Sequence, residues 1–492
     1  MQADLQRKRA EALANAGRGY QAAECYLSAA RLLPGSPAIE MRRQAAEQLM
    51  RGGYLDEGIK LFSELLGSAG IHVPKTRLES LVRMLAIRAY IRFRGLGWKE
   101  RAEAEIPAAT LKKMDLLWSG AMALLPTDTF FGSYLHALHM LEALRAGEPF
   151  RLASSFSFAA IYESMGGTRE YDHGRKLIRL AVELTERIND PYLSALTELS
   201  WVGLDFLSGR VEDGMLHCQT AAEALEKARR RATAWELGTF NMALIWFLGW
   251  GGRIRELSQK VPMIMQDGRS RGDVYAEVSV RCSGTAHLVE LAADNPDRAI
   301  SEMARALKQW RKNFFDLPHF NGALARMECH LYAGRTQQAR DLLLDDWPAI
   351  RRSLFTRKSQ MQRTVLYYGR GRTALAEWLR QPNDIQLRQE IAEYAMRLVK
   401  LRSPWGDALS RILRAGFSAG LERRSEAIGL LAEAENILRE QNLQLLTACV
   451  ARRRGELEGD SARIETADTF MRSEGVVRPD RMAAMYLPGK WL

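Results

Sequence analysis

Three places in this 492-residue chain set reactive side chains close together. His136 and His139 stand three apart, close to one helical turn, a spacing at which two imidazoles can share a metal ion. No acidic or cysteine third ligand lies nearby, and Leu135, Leu138 and Leu141 surround the pair, so ordinary packing is the expectation. His217-Cys218 puts a thiol beside a base. Neighbours on a helix point about 100° apart, however, and cannot face each other as nucleophile and base must. Asp345-Asp346-Trp347 lacks the further carboxylate that magnesium-diphosphate chemistry wants, and reads as a helix end before Pro348. No catalytic residue, metal ligand or cofactor-binding residue is assigned, and the chain is expected not to be an enzyme.

The elements that carry these residues are helical throughout. From Asp297 to Lys312, Ile300, Met303, Leu307 and Trp310 fall on one stripe at steps of three and four, with Arg298, Glu302, Arg305 and Arg311 off it. Between helices one turn keeps returning: a glycine, a polar residue, three variable positions, then a small residue that opens a new helix. It reads Gly17-Arg18 with Ala22, Gly53-Tyr54 with Gly58, Gly209-Arg210 with Gly214 and Gly334-Arg335 with Ala339; weaker copies stand at Gly167, Gly252, Asp294 and Gly371. Glycine ends a helix there with φ > 0, and the small residue marks the closest crossing of two helices. From Gly167 onward the copies are 42, 43, 42, 40 and 37 residues apart. That is one helical hairpin per unit, and the predicted fold is all-α: a right-handed superhelix, or solenoid, of TPR-like hairpins with a period of about 36–43 residues.

Five segments follow: N-terminal hairpins over 1–72, irregular hairpins over 73–166, regular repeats over 167–380, further hairpins over 381–458, and a capping segment over 459–492. In the irregular part the pattern predicts a basic helix from Thr76 to Arg94 and helices near 107–124, 129–146 and 149–165. At the end, Pro479 starts a short helix with Met482 and Met485 on one side, expected to lid the last exposed face of the array.

Composition fits a folded protein, 47% hydrophobic and 26% charged, with a net charge of +11. The arginines are spread over the helices near acidic residues, and the runs Arg229-Arg230-Arg231 and Arg452-Arg453-Arg454 fall near predicted helix C-termini, where cations face the dipole; nucleic acid is not an expected partner. Cys25, Cys218, Cys282, Cys329 and Cys449 are odd in number and far apart, as buried thiols of a reducing compartment are. The charged N-terminus predicts no signal peptide, and the longest apolar run, Met242 to Trp250, is about half a membrane span. A cytoplasmic location is expected, with no membrane partner.

Particular strings carry a resemblance. RRQAAEQLMRGGYLDEGIKLF, IRFRGLGWKERAEAEIP, MDLLWSGAMALL and LHALHMLEALRAGEPFRLA, together with DTFMRSEGVVRPDRMAAMYLPG near the end, resemble the C-terminal helical region of large bacterial serine/threonine protein kinases of the eukaryotic-like type. In that family a kinase domain and a signal-transduction ATPase module precede such a region. Their catalytic motifs are absent here. Asp205-Phe206-Leu207-Ser208-Gly209 has no HRD string before it, and the only Gly-Lys, Gly489-Lys490, runs into Trp491 rather than closing a phosphate loop. The resemblance implies the family's C-terminal part, as a fragment or a separate reading frame, and a kinase or ATPase module as partner.

The expected function is therefore a non-catalytic interaction and sensor module, with a stand-alone peptide-binding scaffold, or the helical sensor region of a signal-transduction ATPase transcription regulator, as alternatives. The first hairpin, with Leu5 and Leu13 on its outer face, is the candidate docking face for that partner or for a second copy. Trp201, Trp235, Trp246 and Trp250 fall in first helices of successive hairpins and are candidate concave-face aromatics for a peptide or small ligand, with inter-repeat core as the competing expectation.

Overall fold

The computed structural model describes residues 1–124, 128–228, 234–310 and 315–491. Among them are 26 α-helices and no strand. Neighbouring helices pack in pairs along the chain, as in an α-solenoid. No helix among the described residues is long and apolar enough to cross a membrane.

The turns explain the pairing. At Gly17, Gly53, Gly209, Gly252 and Gly334, φ lies between 71° and 84°. In each, the next residue's N–H donates to a carbonyl five residues back: Arg18 to Leu13 at 2.9 Å, Tyr54 to Leu49 at 2.9 Å, Arg210 to Asp205 at 3.0 Å, Arg253 to Leu248 at 2.9 Å and Arg335 to His330 at 2.8 Å. One backbone geometry thus satisfies the last carbonyls of five helices. The small residues after the turns lie at helix crossings. A Cβ on Gly214 would stand 2.1 Å from Phe247 Cζ, and one on Gly58 2.6 Å from Met50 Cγ.

Gly371 is a correction. It lies inside the Gln360–Trp378 helix, not at a turn. Its missing side chain makes room for a neighbouring helix, because a Cβ there would meet Leu413 Cδ1 at 2.5 Å. Pro348 is another: the Thr336–Arg352 helix runs straight through Asp345-Asp346-Trp347 instead of ending there.

Hairpins far apart in sequence also meet. Gly167 packs on Gln360, Gly209 on Trp405 and Gly252 on Leu445. Gln360, which is buried, acts as a staple: its Oε1 accepts from Thr168 N–H at 2.8 Å, its Nε2 donates to Leu401 O at 2.7 Å, and its own N–H donates to Met165 O at 2.9 Å. At the other end two glycine turns touch, since a Cβ on Gly272 would lie 2.0 Å from Gly17 O. The accessible surface of 21447 Å² still exceeds the roughly 18,000 Å² of a compact monomer of this mass.

The C-terminal segment packs on the last hairpin and also reaches back to an earlier one. After Gly475, Val477 N–H donates to Ala292 O at 2.8 Å, and Arg481 pairs with Asp294 at 2.8 Å. The Pro479–Tyr486 helix then packs between the Leu317–Tyr332 and Gln444–Glu458 helices, with Met482 and Met485 fully buried. It is an internal plug, with its methionines, Tyr486, Leu487 and Trp491 all buried in the main apolar core.

Candidate functional site

A groove of about 870 Å³ opens inside the N-terminal half. Its walls are the Gly35–Arg51 and Ala108–Leu124 helices, with Phe150, Tyr192 and Tyr275 contributed by later helices. Ile39, Met50, Leu116 and Met122 make the lining mostly apolar. Lys112, Lys113 and Asp115 also reach the lining, and a hydrogen-bonded polar cluster interrupts it. Arg43 donates to Glu40 at 2.6 and 2.8 Å, to Ser119 Oγ at 2.8 Å and to Glu47, while Ser119 Oγ donates to Glu47 at 3.1 Å. Burial works against the Arg43 charge, but Glu47 and Glu40 outweigh it and its pKa is raised. An apolar cleft with a fixed ionic cluster on one wall is suited to an apolar ligand that also carries a polar group.

These groove residues were missed in the sequence. The available signal was the spacing Glu40, Arg43, Glu47, which stacks three charges on one face of a helix that also buries Met41, Ala45 and Ala46.

His136 and His139 lie directly behind the groove wall. Trp118, half-buried at the groove, packs on His139 with ring centroids 5.3 Å apart. Both histidines are buried; Ser155 Oγ is hydrogen-bonded with His139 Nδ1 at 2.6 Å, and His136 Nε2 lies 3.2 Å from Ser155 O. Burial holds His136 well below the usual imidazole range and brings His139 down to about 3, aided by Arg151. They are neutral core side chains with ring centroids 6.5 Å apart. No group of three or more His, Cys, Asp or Glu among the described residues is placed to hold a metal ion.

His217 and Cys218 are separated as helix geometry requires. His217 Nδ1 bonds Asp205 Oδ2 at 2.6 Å and its ring stacks on Trp201 at 5.3 Å. The hydrogen bond to Asp205 raises the His217 pKa, whereas burial pushes the Cys218 thiol up to about 12, where it is no nucleophile. Asp205 thus serves a helix end and a buried pair. All five cysteines are buried and unpaired.

The tryptophans divide. Trp246 and Trp250 are core: Trp405 stands edge-on to both, at 5.7 and 4.9 Å, and Tyr486 of the plug lies 6.0 Å from Trp250. Both are buried, so as candidate binding aromatics they are corrected and the core expectation holds for them. Trp201 is half-buried under His217, and the side chain of Trp235 lies outside the described residues. Beside the plug sits a buried ionic chain. Arg372 donates to Glu328 Oε1 at 2.6 Å, Glu328 Oε2 lies 2.8 Å from His287 Nε2, and Tyr368 donates to Tyr486 O.

On the first hairpin Leu5 is 68% exposed, while Leu13 is half-buried against that hairpin's own core. Arg452, Arg453 and Arg454 do not serve the helix dipole. Each is held by carboxylates, among them Asp468 at 2.8 Å, Glu456 at 2.6 Å and Glu458 at 2.7 Å. Arg229-Arg230-Arg231 lies outside the described residues. No protein-family model matches the chain, and no curated protein is significantly similar to it.

Proposed function

We propose that this chain is a non-catalytic interaction and sensor module, a right-handed superhelix of TPR-like hairpins whose inner groove takes a peptide or small apolar ligand. The observation that carries the reading is the groove itself: preformed, apolar, and crossed by the fixed Glu40–Arg43–Glu47–Ser119 cluster. The superhelix is supported by the contacts between distant hairpins, at Gly167–Gln360, Gly209–Trp405 and Gly252–Leu445, which are 193, 196 and 193 residues apart. Such a constant offset suits one superhelical turn of hairpins repeating every 36–43 residues.

Ligand in the groove would press on the Gly35–Arg51 wall, which packs on the Gly19–Arg31 helix, and so reach the first hairpin. There the exposed Leu5 offers a contact for a kinase or ATPase module, the partner that the sequence resemblance suggests. Without such a partner the same groove would serve a stand-alone peptide-binding scaffold, and an ATPase transcription regulator is the other class of partner. The buried, unpaired cysteines suit a cytoplasmic setting.

Selection from a displayed random-peptide library tests the groove. Peptides that bind the protein should lose at least about tenfold in affinity to Leu116→Arg, which puts a charge into the apolar wall. Selected peptides that bind Leu116→Arg and the unaltered protein equally would refute the groove as the binding site.

A further inference from the structure

A second surface has an unpartnered apolar face. The Arg77–Arg94 helix starts at Thr76, whose side chain accepts from Glu79 N–H at 3.1 Å, and ends at Gly95 with φ 81°. Its inner side buries Ser80, Met84 and Ile91. On the opposite side Leu78, Val82, Leu85, Ala89 and Phe93, at steps of four and three, form one stripe. Leu78 is 69%, Val82 56% and Phe93 91% exposed. Single exposed apolar residues are ordinary, but a continuous stripe along a helix is not.

One edge of the stripe is bordered by positive charge. Arg88 and Arg92 stand on it, and on the other edge Arg83 is paired with Glu79 at 2.9 Å, as the helical spacing sets them. Leu85, Ala89 and Arg92 continue into a cleft of about 1230 Å³, whose lining holds seven Lys or Arg side chains to two carboxylates. Lys176, Lys358 and Lys400 come to it from three other parts of the chain. Within it Arg88 Nε and Nη2 are buried without a hydrogen-bond partner, and Glu163 Oε1 stands 3.9 Å from Nε. Buried guanidinium donors without acceptors mark a place where an anionic group is wanted.

We propose that this face docks an acidic amphipathic helix of a protein partner. Its apolar side would lie on the Leu78–Phe93 stripe, and its carboxylates would meet Arg88, Arg92 and the lysines of the cleft. A second copy of this chain is a poor occupant, because an identical stripe brings no acidic surface to match the seven Lys or Arg side chains of the cleft. A flat anionic membrane would reach Phe93 but not the guanidinium atoms inside the cleft. The proposal is independent of the inner groove.

The probe is a fluorescent peptide as long as the 18-residue helix, with leucines on one face and glutamates on the other, against a scrambled peptide of the same composition. Anisotropy titration should show the amphipathic peptide bound at least about tenfold more tightly than the scrambled one. Phe93→Glu and Arg92→Glu, both at exposed positions, should each weaken it about tenfold. Raising salt from about 50 to 500 mM should weaken it as well. Leu116→Arg should leave it unchanged, which separates this site from the groove. Four results would overturn the proposal: equal binding of the scrambled peptide, loss with Leu116→Arg instead of Phe93→Glu, Phe93-dependent binding to anionic phosphatidylglycerol vesicles without peptide binding, or self-association that Phe93→Glu abolishes.

Discussion

The two histidines that look like a metal site should instead make their region acid-labile. Above pH 6.5 the His139 imidazole is neutral in both the folded and the unfolded chain, so its burial carries no electrostatic penalty there. As pH falls from 6.5 towards 3, the unfolded chain takes up a proton that the buried ring refuses, and stability is lost. Each pH unit in that window costs about 1.4 kcal/mol, so between pH 7 and 5 His139 alone should remove about 2 kcal/mol. His136, depressed for the same reason, adds to the loss. The perturbation is His139→Gln, which keeps a polar acceptor for the Ser155 hydroxyl but cannot titrate. An array of hairpins opens locally, so the suitable assay is hydrogen-exchange mass spectrometry on the Thr129–Ala146 helix, read as an opening free energy at each pH. The variant should lose about 2 kcal/mol less than the unaltered protein between pH 7 and 5. Parallel losses in the two proteins would show that His139 is not held neutral in the core.

Other perturbations probe the turns, the plug and the buried charges. Arg372→Met strands Glu328 in the core and should cost about 3–5 kcal/mol, much of it recovered by adding Glu328→Leu; thermal unfolding of the three variants checks this. Burial pulls the Glu328 pKa up, yet Arg372 and His287 outweigh it and the net shift is downward. The stability this pair supplies should therefore be complete above about pH 4.5 and fade below it, more steeply than in the double variant. Met485→Ala should cost about 2–5 kcal/mol in denaturant titration and speed proteolysis of the C-terminal segment. Leu5→Glu, on an exposed face, should stay within about 0.5 kcal/mol. Gly334→Ala places a side chain in open space at φ 73° and should cost only the left-handed strain, about 1–2 kcal/mol. Gly371→Ala has no such strain but drives a Cβ into Leu413, and should cost about 1–3 kcal/mol through overpacking.

What could be read in the sequence was local. The turns at Gly17, Gly53, Gly209, Gly252 and Gly334 were legible because a left-handed helix end leaves a glycine, and a close crossing leaves a small residue five places on. The basic helix ending at Arg94 and the short helix starting at Pro479 were legible from caps and periodicity. Gly371 misled because a glycine needed for a helix crossing looks, in one dimension, like a glycine needed for a turn. Pro348 misled because one lost N–H bond bends a helix less reliably than it ends a pattern. What joins distant hairpins left little trace: Gln360 is an ordinary glutamine in sequence, and its three backbone partners lie near residues 165, 168 and 401. The groove stayed hidden for the same reason, since its walls come from helices more than fifty residues apart.

The most direct test of the proposed function is hydrogen-exchange mapping of the protein with a library-selected peptide bound. Binding in the groove predicts slowed exchange in the Gly35–Arg51 and Ala108–Leu124 helices, with the Pro479–Tyr486 plug unchanged. Protection confined to other helices, with those two walls exchanging as in the free protein, would contradict it.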